Sequence, residues 1–334
     1  MKLPDRVDDV SARFLSVVVC CYNEAHVLPE FHRRLMLALH RLPVRYEVLY
    51  VNDGSVDDSL AILEQLCRAP LVRCLNLSRN FGKESAMAAG IDHAWGEAIL
   101  FIDADLQDPP ELIPSMVRHW LAGCDIVNMQ RHHRRGDTFG KRISALLYYR
   151  LLRVLVDKYA VPQDVSDFRL IGAAPLNALR AMPERARFMK GMINWLGFKT
   201  VELPYDRMAR GGGQSKWGPL ALVDLAIEGI VAFSRKPLRW FSLLSALVFG
   251  LTLLYIAGQL STGSLNAHDL ILGMGAMLAL GIALIGEYIG ATLSEVKRRP
   301  VYLLSSTFGG LARQLKAPAE SAPPVSALEE RENR

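Results

Sequence analysis

The sequence lacks the patterns that mark several common classes of protein. No G-x-G-x-x-G follows the first predicted strand and no G-x-x-x-x-G-K-[ST] occurs anywhere, which argues against a dinucleotide oxidoreductase and a P-loop nucleotidase. Cysteine is scarce, and no C-x-x-C pair is formed by Cys20, Cys21, Cys67, Cys74 and Cys124. These residues lie mostly in or beside apolar strand or helix patterns, which predicts reduced core thiols and favours a catalytic domain in the cytosol.

The chain also lacks a strong charge imbalance and an apolar leader. Residues 1–13 form a charged extension without an apolar core, so we expect no cleaved signal peptide. The net charge of +5 is modest, and no nucleic-acid partner is expected. Length predicts about two domains. The hydrophobic fraction of 51% is high for a purely soluble enzyme and low for a polytopic membrane protein, so a soluble domain with a membrane attachment fits best.

Predicted strands and helices alternate along the first part of the chain. Short apolar runs indicate five strands, at Phe14 to Cys20, Tyr46 to Val51, Leu71 to Leu75, Ile99 to Ile102 and Asp125 to Met129. Helical patterns separate the strands. This alternation predicts an α/β domain with a parallel, Rossmann-like sheet.

Polar side chains follow these strands at the points where the strands end. They are Tyr22 and Glu24, then Asp53, then Lys83 in the segment 80–83, and finally the segment 103–107. Ligands of open α/β sheets bind beyond the carboxyl ends of the strands, so we expect these groups to converge on one ligand. For Asp53 a turn or helix cap within the sequence NDGS is an equally good interpretation.

The segment after the fourth strand contains Asp103, Asp105 and Gln107 just before two prolines. Crowded carboxylates are costly unless a cation neutralises them, and oxygen ligands of this kind suit Mg²⁺ or Mn²⁺. The pattern therefore predicts a metal clamp for a diphosphate. The alternative is an acidic turn that caps the following helix.

Two basic segments offer phosphate ligands. Arg131 begins the basic run that ends at residue 142, and it is interpreted as capturing a phosphate at the membrane surface, against the alternative of a solvated loop. Arg207, Arg210 and Lys216 lie in a loop with three consecutive glycines, which suggests a mobile lid over a charged ligand, or else a flexible linker. Asp167 lies in a short polar-apolar alternation and is either functional or simply paired with Arg169.

The last third of the chain predicts a membrane attachment. Residues 218–236 suggest an amphipathic helix on the bilayer, and residues 237–296 suggest a hairpin of two spans. Lys and Arg flank both ends of this hairpin but are absent from its connecting turn, so the positive-inside rule places both termini in the cytoplasm. Glu287 near the end of the second span is either functional or snorkelling. Residues 297–334 are expected to form a basic juxtamembrane segment and a disordered tail.

Several motifs in this order carry a resemblance to a known family. They are CYNE (21–24), VNDGSVDDS (51–59), NFGKESA (80–86), DADLQDPPELIP (103–114), RFMKG (187–191), R-x-x-G-x-SKW (210–217) and GEYIG (286–290). Together they resemble family 2 glycosyltransferases of the polyprenyl-phosphate sugar transferase type, which include bacterial GtrB-like undecaprenyl-phosphate glucosyltransferases and dolichol-phosphate mannose synthases. The resemblance covers roughly residues 14–305. Cys20 and Trp217 depart from it, because Pro and Tyr are usual there.

The resemblance implies a GT-A fold for residues 14–217 and an inverting transfer of a sugar, with glucose from UDP-glucose as first choice. The acceptor would be undecaprenyl or another polyprenyl phosphate, and the enzyme would work at the bacterial cytoplasmic membrane, with further copies of the chain in a homo-oligomer such as a tetramer. Mg²⁺ or Mn²⁺ would be the cofactor. The implied roles are nucleotide-sugar binding by Tyr22, Glu24, Asp53, Lys83, Asp103, Arg210 and Lys216; acceptor-phosphate binding by Arg131 and Arg207; metal binding by Asp103, Asp105 and Gln107; and catalysis by Asp167 and Asp105.

Three alternatives stay open at this point. One is a polyprenyl-phosphate mannosyltransferase that uses GDP-mannose. Another is a membrane scaffold that binds a nucleotide sugar without turning it over. A processive polysaccharide synthase is disfavoured, because KPLRW at 236–240 only approaches the Q-x-x-R-W pattern of those enzymes. Whether Asp167 removes a proton or only orients the acceptor is also open.

Overall fold

The structure is a computed structural model that describes residues 10–131, 165–185, 187–206, 236–262 and 267–309. The predicted amphipathic helix at 218–236 and the tail beyond residue 309 fall outside these ranges, apart from Lys236.

Eight strands form a single mixed sheet. They are β1 (Phe14–Cys21), β2 (Arg45–Asn52), β3 (Val72–Leu77), β4 (Ala98–Asp103), β5 (Ile126–Arg131), β6 (Val165–Ile171), β7 (Thr200–Tyr205) and β8 (Leu304–Phe308). Their order across the sheet is β7-β5-β6-β4-β1-β2-β3-β8. The predicted Rossmann-like α/β architecture is confirmed. Two strands depart from the parallel arrangement, because β6 runs antiparallel to β4 and β5, and β8 runs antiparallel to β3.

The described helices number eight. They are α1 (Leu28–Leu39), α2 (Ser59–Leu66), α3 (Lys83–His93), α4 (Ile113–Leu121), α5 (Ala173–Ala181), α6 (Met189–Trp195), α7 (Lys236–Thr262) and α8 (Ala267–Val296), with 3₁₀ turns at Val10–Ala12 and Pro110–Leu112. The sheet has an apolar cluster on each face. Leu15, Val17 and Val19 of β1 pack with residues of α1, α2 and α4, while Val18 packs with residues of α3, α5 and α6. A strand whose two faces are both buried is expected to be almost continuously apolar, and β1 is apolar apart from Ser16, whose hydroxyl donates to Glu47.

Helix α3 packs closely against the sheet. A Cβ atom on Gly90 would stand 2.4 Å from Cγ1 of Val18, so the helix needs glycine at this position. Ala86 and Ala89 are fully buried. The small side chains of α3 therefore fix its distance from β1, and with it the position of Lys83 at the start of the helix.

Helices α7 and α8 contain the two predicted spans. They contact each other where Gly281 faces Phe241, since a Cβ atom on Gly281 would stand 2.6 Å from Cζ of the phenylalanine. Large apolar side chains on both helices are exposed, among them Leu243, Leu254 and Ile271. Counting only the residues that the structure describes, no helix combines the length and the hydropathy required to cross a membrane. The hairpin stays a prediction.

Strand β8 was not foreseen. Sequence patterns assigned Leu304–Phe308 to the juxtamembrane segment, whereas the structure places these residues at the edge of the sheet, beside β3. The chain therefore returns to the sheet after α8.

Candidate active site

The ends of β4 and β6 bring two acidic residues together. The antiparallel register pairs Phe101 with Arg169. Two residues further along β4 and two residues earlier on β6 stand Asp103 and Asp167. Because β6 is antiparallel, its beginning lies at the same edge of the sheet as the carboxyl end of β4, which is how residues so distant in sequence meet.

A lysine from α3 joins these two carboxylates. Nζ of Lys83 lies 2.7 Å from Oδ2 of Asp103 and 2.7 Å from Oδ2 of Asp167. A second lysine, Lys190 on α6, lies with Nζ 3.5 Å from Oδ1 of Asp167, and a guanidinium nitrogen of Arg169 lies 3.8 Å from the same oxygen. Asp167 is therefore surrounded by three cations. The pairing of Asp167 with Arg169, open in the sequence, is only one part of a larger cluster.

The cluster favours the charged forms of its members. Burial alone would raise the pKa of Asp167, but Lys190, Lys83 and Arg169 together hold that pKa well below its usual value. Burial works against the charged form of Lys83 as well, yet Asp103 and Asp167 raise its pKa well above the usual value. Both groups are thus ionised at neutral pH, which makes Asp167 a weak base.

Glu84, next to Lys83 on α3, connects α3 to the start of α6. Its carboxylate accepts a hydrogen bond of 3.0 Å from the backbone N–H of Met189, at the start of α6. Burial and the nearby charge of Asp167 raise the pKa of Glu84 to about 7. The contact ties α3 to the helix that carries Lys190. Neither Glu84 nor Lys190 was assigned a role from sequence. Glu84 lies in the motif NFGKESA and Lys190 in RFMKG, and these motifs could have drawn attention to them.

Asp53 is buried after β2 and holds the loop that precedes α3. Its carboxylate accepts hydrogen bonds from the backbone N–H groups of Phe81, at 2.8 Å, and Gly82, at 3.0 Å. Burial raises the pKa of Asp53 despite these two bonds. These partners lie 28 and 29 residues further along the chain, so this contact is not the local turn or helix cap within NDGS that the sequence allowed. The predicted contact with a nucleoside stays a prediction.

The loops after β1 and β2 are tied to each other. The backbone N–H of Asn23 donates to Oγ of Ser55 at 2.9 Å, and the backbone N–H of Glu24 donates to Oγ of Ser59, also at 2.9 Å. Tyr22 and Glu24 are partly exposed beside these contacts. The structure therefore places both residues on a fixed loop at the carboxyl edge of the sheet, while their roles stay predictions.

The donor set after β4 fits a divalent ion only in part. Asp105 is buried, and its Oδ1 accepts a hydrogen bond of 3.1 Å from the backbone N–H of Gln107. Within the described ranges, no group of three or more His, Cys, Asp or Glu residues is arranged to hold a metal. Mg²⁺ is commonly bound by one or two carboxylates together with substrate phosphates. Asp103 and Asp105 fit an ion that shares its ligands with a diphosphate, and the metal stays a prediction.

Arg131 ends β5 at the same edge, where it is paired with Tyr205 of β7 in the parallel register. The hydroxyl of Tyr205 donates a short hydrogen bond to the buried carboxylate of Asp108, and Oγ of Ser166 donates to the same carboxylate at 3.4 Å. Burial disfavours the charged form of Arg131, but Tyr205 and Asp108 outweigh this effect and raise its pKa. Arg131 therefore stays positively charged at this edge of the sheet. Asp108 is a buried residue that holds Tyr205 and Ser166, a structural role that the sequence did not indicate.

The remaining predicted phosphate ligands, Arg207, Arg210 and Lys216, lie outside the described residues. Their roles stay predictions.

Comparison with known proteins relates the chain to one family. A model of "Glycosyl transferase family 2" matches residues 16–180. An uncharacterised glycosyltransferase of Synechocystis is 39% identical over 305 residues, which cover 88% of this chain and 96% of that protein. A prophage-derived bactoprenol glucosyl transferase of Shigella flexneri is 36% identical over 306 residues, which cover 89% of this chain and 99% of that protein. Among solved structures, mannosyl-3-phosphoglycerate synthase from Rubrobacter xylanophilus is similar with a TM-score of 0.47 and 15% identity, covering 68% of this chain and 74% of that one.

Proposed function

Because the chain belongs to glycosyltransferase family 2, we propose that it transfers glucose from UDP-glucose to undecaprenyl phosphate, with inversion at the anomeric carbon. The name of the Shigella flexneri relative, bactoprenol glucosyl transferase, supports this choice of sugar and acceptor. The observation that carries the proposal is the ionised cluster in which Lys83 lies 2.7 Å from both Asp103 and Asp167, at the edge of the sheet where ligands of α/β folds bind.

The proposed reaction is a single displacement. A phosphate oxygen of the acceptor forms a bond to the anomeric carbon, the bond from that carbon to the diphosphate oxygen breaks, and its electron pair leaves with UDP. A phosphate monoester has a second pKa of about 6, so the acceptor is already largely anionic at neutral pH. No strong base is needed for this reaction.

The state of Asp167 fits this requirement. Its pKa is held well below the usual value and its carboxylate is engaged by Lys83 and Lys190. We therefore assign Asp167 to orienting those cations toward the phosphates, not to removing a proton. Arg131, which stays positively charged at the same edge, would bind the acceptor phosphate. A Mg²⁺ or Mn²⁺ ion held by Asp103 and Asp105 would supply further positive charge toward the diphosphate.

The acceptor requires the enzyme to work at a membrane surface. Each buried CH₂ of an isoprenoid favours the bilayer by about 0.8 kcal/mol, so the lipid stays in the membrane and the enzyme must come to its headgroup. The long charge-free run at 241–260 and the flanking Lys and Arg residues support a hairpin with both termini in the cytoplasm. The bacterial cytoplasmic membrane and a homo-oligomer are parts of the same proposal.

Donor turnover by the full-length protein tests the proposal. Purified protein in lipid-containing detergent is given undecaprenyl phosphate, Mg²⁺ or Mn²⁺, and UDP-glucose, UDP-galactose, UDP-N-acetylglucosamine or GDP-mannose in separate reactions. We expect only UDP-glucose to be converted into a lipid-soluble product, and Asp105→Asn to be inactive. Consumption of GDP-mannose instead would identify the mannosyltransferase. Binding of a donor without turnover would refute the transferase reaction and favour the scaffold.

A further inference from the structure

Strand β8, which follows α8 in the chain, places Ser306 beside the end of β3. Ser306 of β8 is paired with Asn76 of β3 in the antiparallel register. The strand is fixed just before its start by the backbone N–H of Ser78, which donates to the carbonyl oxygen of Leu303 at 2.8 Å. The hydroxyl of Tyr302 also donates to Asp92 on α3, at 3.0 Å. Ser306 is thus held in a defined place on the catalytic domain.

A series of hydrogen bonds connects Ser306 on β8 to the ends of β3 and β2 and to the loop after β1. We call it the hydrogen-bond chain. Nδ2 of Asn76 donates to Oγ of Ser306 at 3.2 Å, and Nδ2 of Asn52 donates to Oδ1 of Asn76 at 2.8 Å. Oγ of Ser55 donates to Oδ1 of Asn52 at 2.5 Å, and the backbone N–H of Asn23 donates to Oγ of Ser55 at 2.9 Å. Every donor in the chain points in the same direction, from the loop after β1 toward β8. Hydrogen bonds aligned in this way polarise and strengthen one another.

The other end of these hydrogen bonds is a loop with an uncommon backbone conformation. Asn23 has a φ of +54°, in the left-handed region that few residues other than glycine adopt. Its side-chain oxygen accepts a hydrogen bond of 2.8 Å from the backbone N–H of Val56, so both its backbone and its side chain are held by the loop after β2. Asn23 lies between Tyr22 and Glu24, the residues predicted to contact the nucleoside. The conformation of this loop therefore depends on Ser55, and through Ser55 on Asn52.

Asn52 links the two ends because it is fully buried and its amide is used on both sides. A buried amide that loses one partner has no water to replace it. The backbone N–H of Asn23 can only donate, so it sets the direction of these hydrogen bonds. The hydroxyl of Ser306 accepts the last bond and holds the amide of Asn76 in the orientation that Asn52 requires.

We propose that Ser306 is a positioning residue of the donor site, which acts through Asn76, Asn52 and Ser55 on the loop that binds the nucleotide. The proposal rests on the proposed function, since it assigns that loop to donor binding. It makes the segment after α8 a working part of the catalytic domain, so that the sheet and the donor loop are completed only when the chain returns from the predicted membrane hairpin.

Two serines of β8 provide a matched pair of variants. Ser306 is partly buried and bonded to Asn76, whereas its neighbour Ser305 is exposed on the other face of the strand. In the full-length protein we expect Ser306→Ala to raise the KM for UDP-glucose by about fivefold, the effect of one net hydrogen bond, with kcat within about twofold of wild type. Ser305→Ala should leave both constants unchanged. Ser306→Thr retains the hydroxyl and should restore most of the affinity.

Amide hydrogen exchange tests the same coupling without a ligand. The amides of Asn23 and Glu24 should exchange about fivefold faster in Ser306→Ala than in Ser305→Ala. Equal exchange in the two variants, or an unchanged KM in Ser306→Ala, overturns the inference and leaves the proposed function standing. If wild-type protein neither binds nor consumes a nucleotide sugar, the proposed function fails, and the donor-site role of Ser306 fails with it even where exchange shows the loop to be coupled.

Discussion

Glu84 predicts an unusual dependence of stability on pH. Its pKa lies near 7 in the folded protein, against an ordinary value of 4.5, because of burial and of the charge on Asp167. Between these two values the native state keeps a proton on Glu84 that the unfolded chain has already lost. The free energy of unfolding contributed by this group therefore falls as the pH rises from about 4.5 to about 7.

The size of the effect follows from the shift. One pKa unit corresponds to about 1.36 kcal/mol, so the difference between 4.5 and about 7 corresponds to about 3 kcal/mol, an upper value because Glu84 is partly exposed. The neighbouring charges do not change in this window, since the pKa of Asp167 lies well below it and that of Lys83 well above it. Glu84→Gln keeps an oxygen for the N–H of Met189 but cannot titrate. We expect the variant to match wild type near pH 4.5 and to be more stable by up to about 3 kcal/mol at pH 8.

Thermal unfolding followed by circular dichroism at several pH values measures this difference. A gain of about 3 kcal/mol raises the Tm by about 6 to 12 °C for a domain of this size. Glu64→Gln, on the exposed side of α2, is the control and should follow wild type at every pH. A difference between Glu84→Gln and wild type that stays constant from pH 5 to pH 8 would refute the assignment of the titration to Glu84.

Three further substitutions test other parts of the structure. The side chain of Asp53→Asn can accept only one of the two backbone N–H bonds, so we expect the free energy of unfolding to fall by about 2 kcal/mol in denaturant melts. The control Asp58→Asn, at an exposed position, should change it by less than about 0.5 kcal/mol. Lys83→Met removes the cation shared by two carboxylates and should reduce turnover of donor by about 100-fold or more, which initial rates on protein of verified fold would show. Glu47→Gln breaks a buried ion pair with Arg73, at 2.9 Å, and should cost about 3 kcal/mol in thermal melts with little change in activity at low temperature.

The first five strands were predictable because their determinants are local. Each is a short apolar run that ends in a polar or glycine-containing segment, and the polar segments mark one edge of the sheet. The positions of Lys83, Asp103 and Asp53 at this edge could therefore be predicted from sequence, while their roles in binding stay predictions. The hydrogen-bond partners of these residues could not be predicted. The backbone N–H of Phe81, which donates to Asp53, belongs to a distant loop, and no sequence pattern connects the two.

The positions of β6 and β8 depend on contacts between distant parts of the chain. The short polar-apolar alternation around Asp167 did not lead to a strand prediction, and only the antiparallel direction of β6 brings Asp167 beside Asp103. The five residues of β8 include two serines and a threonine, too few apolar residues for a strand prediction. Their conformation is determined by pairing with β3. The hydrogen-bond chain that begins at Ser306 depends entirely on this pairing.

The charges at the active site also change the argument made from sequence. Taken alone, the acidic residues after β4 suggest a crowd of carboxylates that needs a metal ion to neutralise it. In the folded protein Asp103 already has Lys83 as its partner, and Asp167 is contacted by Lys83, Lys190 and Arg169. Among these five side chains three cations face two anions, and Glu84 is only partly ionised near its pKa of about 7. Under the proposed function these side chains themselves attract the diphosphate of the donor, and a metal ion would bind where the diphosphate supplies it with further ligands.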